Sequence, residues 1–454
     1  MVSTPVSRPL ATPGPVSAAT IAKVTRRLLP FLLLMYVLAF LDRANVGFAK
    51  KAYQLDTNIS DAAFAFGASI FFLGYAVLEV PSNLIMHKVG ARAWMCRIMV
   101  SWGLLSAAMM YAHSEVTFYI LRFLLGVAEA GFFPGVILYL TYWYPSFARA
   151  KATGLFYFGA PLAFILGSPL SGLLLEMNGV AGLTGWQWMF LVEGLLASIV
   201  GVWAYWYLDN KPSDAKWLTE AEVRELTTAI AAEEHYKSDH SPASVLKALG
   251  NPKVLYLSLI YLIIQMSVYG LVFYLPTQVA NLLGRNVGFT VGLVTAIPWV
   301  CALVAAYLIP RFSDATGERP LTAALTLAAA GAGLAGSVAT TSPTVSLIAL
   351  CFAAAGFIAV QPIFWTFPTS YLAGAAAAGG IALVNSMGAV GGFIAPNIKT
   401  WAEQAFASNA AGLYLLAGTT ILGALLILGV RFLGLSGRVA ALPAGEPETT
   451  LHPV

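Results

Sequence analysis

Apolar runs of roughly 20 residues recur from one end of the chain to the other, and a short polar turn closes each. About 20 residues of helix cross a ~30 Å hydrocarbon core, where the backbone must satisfy its own polar groups. The pattern therefore predicts an all-α polytopic membrane protein with twelve transmembrane helices. They are placed at residues 29–50, 63–86, 93–112, 117–143, 152–175, 188–208, 254–275, 288–310, 321–339, 345–367, 379–401 and 410–432.

Polar residues accumulate in one long segment, 209–251, between the sixth and seventh runs. The chain thus divides into a disordered N-terminal tail (1–27), a first six-helix bundle (28–208), a linker (209–251), a second six-helix bundle (252–433) and a C-terminal tail (434–454). Within the linker, WLTEAEVRELTTAIAAEE has helical periodicity, with Thr219 placed to cap it ahead of Glu222. The halves echo each other weakly. MHKVGARAW follows the second run and RFSDATGERP the eighth, each a basic turn around a glycine, as in parallel repeats.

Composition agrees with this reading: of 454 residues, 59% are hydrophobic and 10% charged. Mean hydropathy is +0.76. The net charge of +4 is spread over short loops and forms no patch for nucleic acid. Arg26, Arg27, Lys88, Arg92, Arg149, Lys151, Arg311, Arg319 and Arg431 fall on the side of the termini, whereas the other side holds only Lys50, Lys51, Arg285 and Lys399. The positive-inside rule then puts both termini in the cytoplasm.

Against this apolar background a few charges stand out. In LRFLLGVAEAGFFPG, Arg122 and Glu129 lie seven residues apart, about two turns, so both leave one helix face. A lone charge at the bilayer centre costs roughly 2.5 to more than 10 kcal/mol, which turns such residues toward a protein interior or a wet cavity. A transport pathway explains the pair, and a structural ion pair between helices is the alternative. Asp42 and Arg43 lie in the distal part of the first run, and Glu79 and Glu193 are the other acids within spans of the first half. Glu79 is read as a structural partner of a basic residue such as Arg97, and Glu193 as an interhelical anchor. The second half offers only neutral polar and aromatic groups, among them Gln265, Tyr269, Gln361, Trp365 and Asn385. This asymmetry suggests proton handling in the first bundle and substrate recognition in the second.

Aromatic residues divide similarly. Trp186, Trp188, Trp203, Trp206 and Tyr207 fit an interfacial belt. Tyr36, Tyr75 and Trp365 fall in spans that carry other polar groups and are ligand candidates.

Other chemistries find no support. His87, His113, His235, His240 and His452 all fall in loops or tails, which excludes a Ser-His dyad or HExxH zinc site within the membrane. No Walker motif is present, so an ATP-driven pump is excluded. Cys96, Cys301 and Cys351 are too few and scattered for a disulfide framework or thiolate site. No enzyme, cofactor or metal is expected.

Several stretches together resemble the major facilitator superfamily and, within it, the anion:cation symporter family of bacterial tartrate, hydroxyphenylacetate, phthalate and sugar-acid permeases. They are FLDRANVGFAK, EVPSNLIMHKVGARAW, LRFLLGVAEAGFFPGVILYLTYWYP, GWQWMFLVEG and FWTFPTSYLAGAAAAGGIALVNSMGAVGGFIAP. The resemblance covers nearly the whole chain. It implies the major facilitator fold, monomeric function in the bacterial inner membrane, and uptake of a small organic carboxylate together with protons. An anion exchanger or sodium-coupled carrier of the same fold is the alternative. The same resemblance matches Asp42, Arg43, Arg122 and Glu129 to a charged centre, and Tyr75 and Asn385 to a tyrosine and an asparagine of the site; desolvated acids beside arginine forks then suggest that Asp42 and Glu129 couple protons while Arg43 and Arg122 bind the anion. The glutamine that sugar-acid carriers place on the fifth helix is absent, with Ala160 and Pro161 there instead. A tartrate-like hydroxy acid or an aromatic acid is therefore favoured over a hexonate. In this scheme the two acids and two arginines exchange partners with the incoming anion.

Overall fold

The computed structural model describes residues 16–239, 250–371 and 374–433, and all regular elements among them are helices. Most of the expected tails, and residues 240–249 of the linker, lie outside the described residues. Among the described residues, twelve helices are long and apolar enough to cross a membrane. They are α1 (Ala18–Thr57), α2 (Asp61–Val89), α3 (Ala91–Ala108), α4 (Glu115–Glu129 continued by Phe132–Trp143), α5 (Ser146–Tyr157 continued by Gly159–Leu175) and α6 (Gly185–Tyr207). After the linker helix Glu220–Asp239 follow α7 (Pro252–Leu283), α8 (Phe289–Thr316), α9 (Arg319–Ala339), α10 (Pro343–Tyr371), α11 (Gly374–Ala405) and α12 (Ala411–Gly429).

The first helix corrects the expected tail boundary. It begins at Ala18, where the Ser17 hydroxyl accepts from the Thr20 N–H at 3.1 Å, and runs for 40 residues. Residues 18–27 are thus helical, because this turn has a partner. Lys23 Nζ lies 2.7 Å from Glu222, and Thr20 Oγ1 donates to Glu225 at 3.1 Å. Thr219 and Glu222 form the reciprocal cap expected at the linker helix, which docks on α1.

α4 breaks immediately after Glu129. Ala130 is extended, and Gly131 has φ +85°, a left-handed conformation that costs an L side chain about 1–2 kcal/mol. Space imposes the same choice, since a Cβ on Gly131 would stand 2.6 Å from Ser82 Cβ of α2. The break lets α4 lie close along α2 and ends its first segment on the Glu129 carboxylate.

Large apolar side chains such as Trp206, Leu425 and Phe352 cover the outer surface, as a lipid-facing bundle requires. Trp186 departs from the expected belt. It is 1% exposed, and its indole N–H donates at 2.9 Å to Asp56 in the exposed last turn of α1.

Along the seam between the halves, α1 packs on α7, α2 on α11 and α5 on α8. Exchanging the halves converts the second of these contacts into the third. On the face opposite the termini the seam is sealed. A Cβ on Gly47 of α1 would lie 2.7 Å from the Phe273 carbonyl oxygen of α7, so only glycine permits this approach. Asn397 of α11 donates to Ser69 of α2 at 2.8 Å, and Glu176 Oε1 beyond α5 accepts from the Phe289 N–H of α8 at 2.8 Å. Lys50 of α1 and Lys399 of α11 stand 4.9 and 3.8 Å from the Tyr274 ring centre of α7.

Candidate functional site

Below the seal a cavity lies between the bundles. Its narrow upper part is lined by Tyr36, Arg43 and Tyr75 from the first half and by Tyr261, Tyr269 and Asn385 from the second. Gln265 and Gln361 line this part too, and continue into a wider chamber of about 780 Å³. The chamber runs past Trp365 to Arg149, Asp314 and Thr369, which lie toward the terminal face. The cavity therefore opens on the side of the termini and ends blindly beneath the seal.

Arg43 is the cation at the head of the cavity, with 11% of its side chain exposed. Its Nε and Nη2 donate to Oε1 of Glu129 at 2.8 and 2.5 Å, and its Nη1 donates to the Tyr269 hydroxyl at 3.1 Å. The Tyr75 ring centre lies 5.0 Å from the guanidinium carbon, within cation–π range. Glu129 is fully buried behind Arg43, and its second oxygen has no partner. One guanidinium thus joins α1, α4 and α7 while facing the cavity.

Arg122 and Asp42 lie deeper in the first bundle, at 1% and 2% exposure. The Asp42 Oδ1 accepts from Ser106 Oγ of α3 and from Asn45 Nδ2 at 3.3 Å. Arg122 donates to the Ala68 carbonyl oxygen at 2.9 Å, while its Nε and Nη1 have no partner. The structure brings Arg122 into the same polar cluster as Asp42 and Glu129 but not to the cavity wall. Its face of α4 turns into the first bundle, whereas Arg43, one residue beyond Asp42, turns out of it. The seven-residue spacing correctly put Arg122 and Glu129 on one face, but that face looks at α1 and α2, not at the cavity.

The remaining candidates are distributed as follows. Tyr36 is buried, stacks on Phe156 with ring centres 4.2 Å apart, and lines both parts of the cavity. Tyr75 and Asn385 line the upper part and Trp365 the lower, where it meets Tyr261 edge-on at 4.9 Å. Glu79 is a correction. Arg97, its expected partner, stacks on Trp94 at 4.0 Å. Glu79 instead accepts from Asn385 Nδ2 at 2.6 Å, across the seam from α2 to α11. Sequence reading also missed Tyr157 and Tyr261 on the wall. The Tyr75–Glu79 spacing of four was the available signal for Glu79, since i and i+4 share a helix face. Tyr157 and Tyr261 gave no such signal in helices rich in aromatic residues.

Among the described residues, twelve membrane-length helices in two bundles, with a central cavity that carries a charged head and opens to one face while sealed from the other, define a membrane transporter. A family model described as Major Facilitator Superfamily matches residues 32–396. The chain is 54% identical over 413 residues to "Inner membrane transport protein RhmT" of Escherichia coli (strain K12), covering 91% of this chain and 95% of that protein. It is 44% identical over 411 residues to a "Putative tartrate transporter" of Agrobacterium vitis, covering 90% and 91%. Among solved structures, the xylose transporter XylE from E. coli superposes with a TM-score of 0.69 at 17% identity, over 91% of this chain and 98% of that one. The chain belongs to the major facilitator superfamily. It is a multi-pass membrane transporter, not an enzyme.

Proposed function

We propose that the protein is a proton-coupled symporter of the anion:cation symporter family that carries a small organic carboxylate across the bacterial inner membrane, with both termini cytoplasmic. The excess of Lys and Arg on the terminal side supports that orientation. In it the cavity faces the cytoplasm, and the seal at Tyr274 closes the periplasmic side.

One observation carries the reading: Arg43 faces the cavity and is already held by a buried carboxylate. Arginine stays charged and offers a planar fork that matches carboxylate oxygens. When Glu129 takes a proton, Arg43 loses its counter-charge, and the substrate carboxylate replaces it. Leaving Arg43 unpaired would cost several kcal/mol, so proton and anion enter together. Asp42 balances Arg122 inside the bundle and serves as the second proton-coupling acid. Arg122, kept from the wall in this conformation, holds the charge balance of the cluster, and the anion-binding role passes to Arg43.

Tyr36, Tyr75, Trp365 and Asn385 complete the substrate site, with amides and tyrosine hydroxyls for hydroxyl groups and ring faces for apolar parts. The name of the Agrobacterium vitis relative agrees with a tartrate-like hydroxy acid; an aromatic acid suits the rings. Uptake of radiolabelled carboxylates into cells tests the proposal. Accumulation that an uncoupler abolishes is the expected result. Accumulation that survives the uncoupler, or needs sodium, contradicts it.

A further inference from the structure

A second hollow, apart from the transport cavity, lies on the outer surface where the bundles meet. Its walls are Leu29 and Leu33 of α1, Leu155 and Leu162 of α5, and Val304 and Tyr307 of α8. It holds about 760 Å³, which is within the size range of small-molecule sites, and its lining is almost wholly apolar. The way α5 meets α8 creates it. A Cβ on Gly292 of α8 would strike the Ser168 carbonyl oxygen of α5, so the two backbones touch there. Nearer the terminal face Val304 and Tyr307 are 51% and 46% exposed, so the helices part and leave a groove between them.

The mouth of the groove is basic. Arg26 lines it seven residues before Leu33, and Arg311 stands seven residues after Val304. Seven residues are about two turns, or ~10 Å, so each guanidinium sits above an apolar wall residue on one helix face. The Tyr307 ring holds Arg311 at the mouth, with the guanidinium carbon 3.8 Å from the ring centre. Both arginines are exposed, and among the described residues neither has a carboxylate partner. Other basic groups on this face are paired: Lys23 with Glu222, Arg319 with Asp314 and Arg431 with Glu318. Asp314, the acid one turn beyond Arg311, is thus already engaged.

We propose that this groove binds an acidic phospholipid from the leaflet on the side of the termini, with its headgroup at Arg26 and Arg311 and an acyl chain along Leu33, Leu162 and Val304. The chemistry selects that class. A free anion would use the mouth and leave the apolar slot empty, and a zwitterionic lipid brings its own cation to a mouth that is already basic. A slot ~10 Å deep stays within one leaflet of a ~30 Å core, as a lipid standing among its neighbours requires. Basic pockets between spans hold acidic headgroups by the same attraction. The proposal is independent of the transported substrate and of the coupling ion.

Native mass spectrometry of the purified protein, equilibrated with equal amounts of phosphatidylglycerol and phosphatidylcholine of identical chains, counts the lipid each variant retains. The wild type should retain phosphatidylglycerol in preference. Each arginine is expected to contribute roughly five-fold, so Arg26→Gln with Arg311→Gln should lower the preference about twenty-five-fold. Lys88→Gln with Lys216→Gln, which removes two charges elsewhere on the terminal face, should leave it unchanged. Val304→Trp fills the slot at an exposed position and should lose the bound lipid with both arginines in place. Equal retention of the two lipids by the wild type overturns the proposal. So does an unchanged preference without Arg26 and Arg311, an equal loss in the Lys88 and Lys216 variant, or full retention by Val304→Trp.

Discussion

Arg43 gives two of its hydrogen bonds to one oxygen of Glu129, at 2.8 and 2.5 Å, and turns its remaining nitrogen to Tyr269 across the seam. The same group therefore belongs to a buried ion pair, to the cavity wall and to the contact between bundles. Any event that removes the charge of Glu129 alters all three at once.

Replacing Arg43 by lysine keeps the charge and removes the fork. A hydrogen bond to a charged group contributes about 1.5–3 kcal/mol, so Arg43→Lys is expected to weaken carboxylate binding roughly ten- to a hundredfold. Titration of the purified variant with tartrate and with an aromatic acid measures this. Unchanged affinity for a carboxylate that the wild type binds would remove Arg43 from the substrate site.

The interruption of α4 makes a separate prediction about stability. Gly131→Ala places a Cβ at φ +85°, 2.6 Å from Ser82 Cβ. The backbone strain alone amounts to about 1–2 kcal/mol, and the contact with α2 adds to it. A clearly lower unfolding temperature is expected; a wild-type value would mean that α4 runs on without the break.

At the sealed face, the Tyr274 ring of α7 lies between Lys50 of α1 and Lys399 of α11. Cation–π contacts contribute about 0.5–2 kcal/mol each, so Tyr274→Ala should populate the conformation open on that face several-fold more. In a background without Cys96, Cys301 and Cys351, Ser69→Cys should then react faster with a membrane-impermeant thiol reagent applied from the periplasmic side. An unchanged rate argues against this seal.

Lys23 and the Thr219 N–H hold the exposed Glu222 carboxyl below the usual glutamate range. An acid stabilised in its ionised form supports docking of the linker helix above its ordinary range and loses that contribution as the pH falls through the lowered value. Screening by solvent keeps the effect small. Amide-exchange protection at the start of α1 should therefore fall on acidification, and Glu222→Gln should flatten this dependence. Equal pH dependence in both proteins would show that the Lys23 contact does not anchor the linker.

How much of this was legible in the sequence varies with the kind of contact involved. Span number and the two-bundle division follow from apolar length, and Asp42, Arg43, Arg122 and Glu129 each stand out by the cost of charge in lipid, which act locally along the chain; that the four form one centre is what the family resemblance implies. The Glu79–Asn385 bond joins residues 306 positions apart, and no local pattern reports it. Charge in a span implies a wet or protein interior without saying which, so the sequence alone does not tell that Arg122 faces the bundle and not the cavity. Only the rotation of α4 against α1 and α2 decides. The early start of α1 depended on a partner in the linker, a tertiary contact that apolar length does not encode.

The central claim is that Glu129 carries the proton that frees Arg43 for the substrate. It is tested most directly by recording proton movement in proteoliposomes when a carboxylate that binds the wild type is added. The wild type should move protons with the substrate. Glu129→Gln should still bind and exchange the carboxylate while moving no protons and accumulating nothing under a pH gradient. Proton movement of wild-type size in Glu129→Gln would contradict the account.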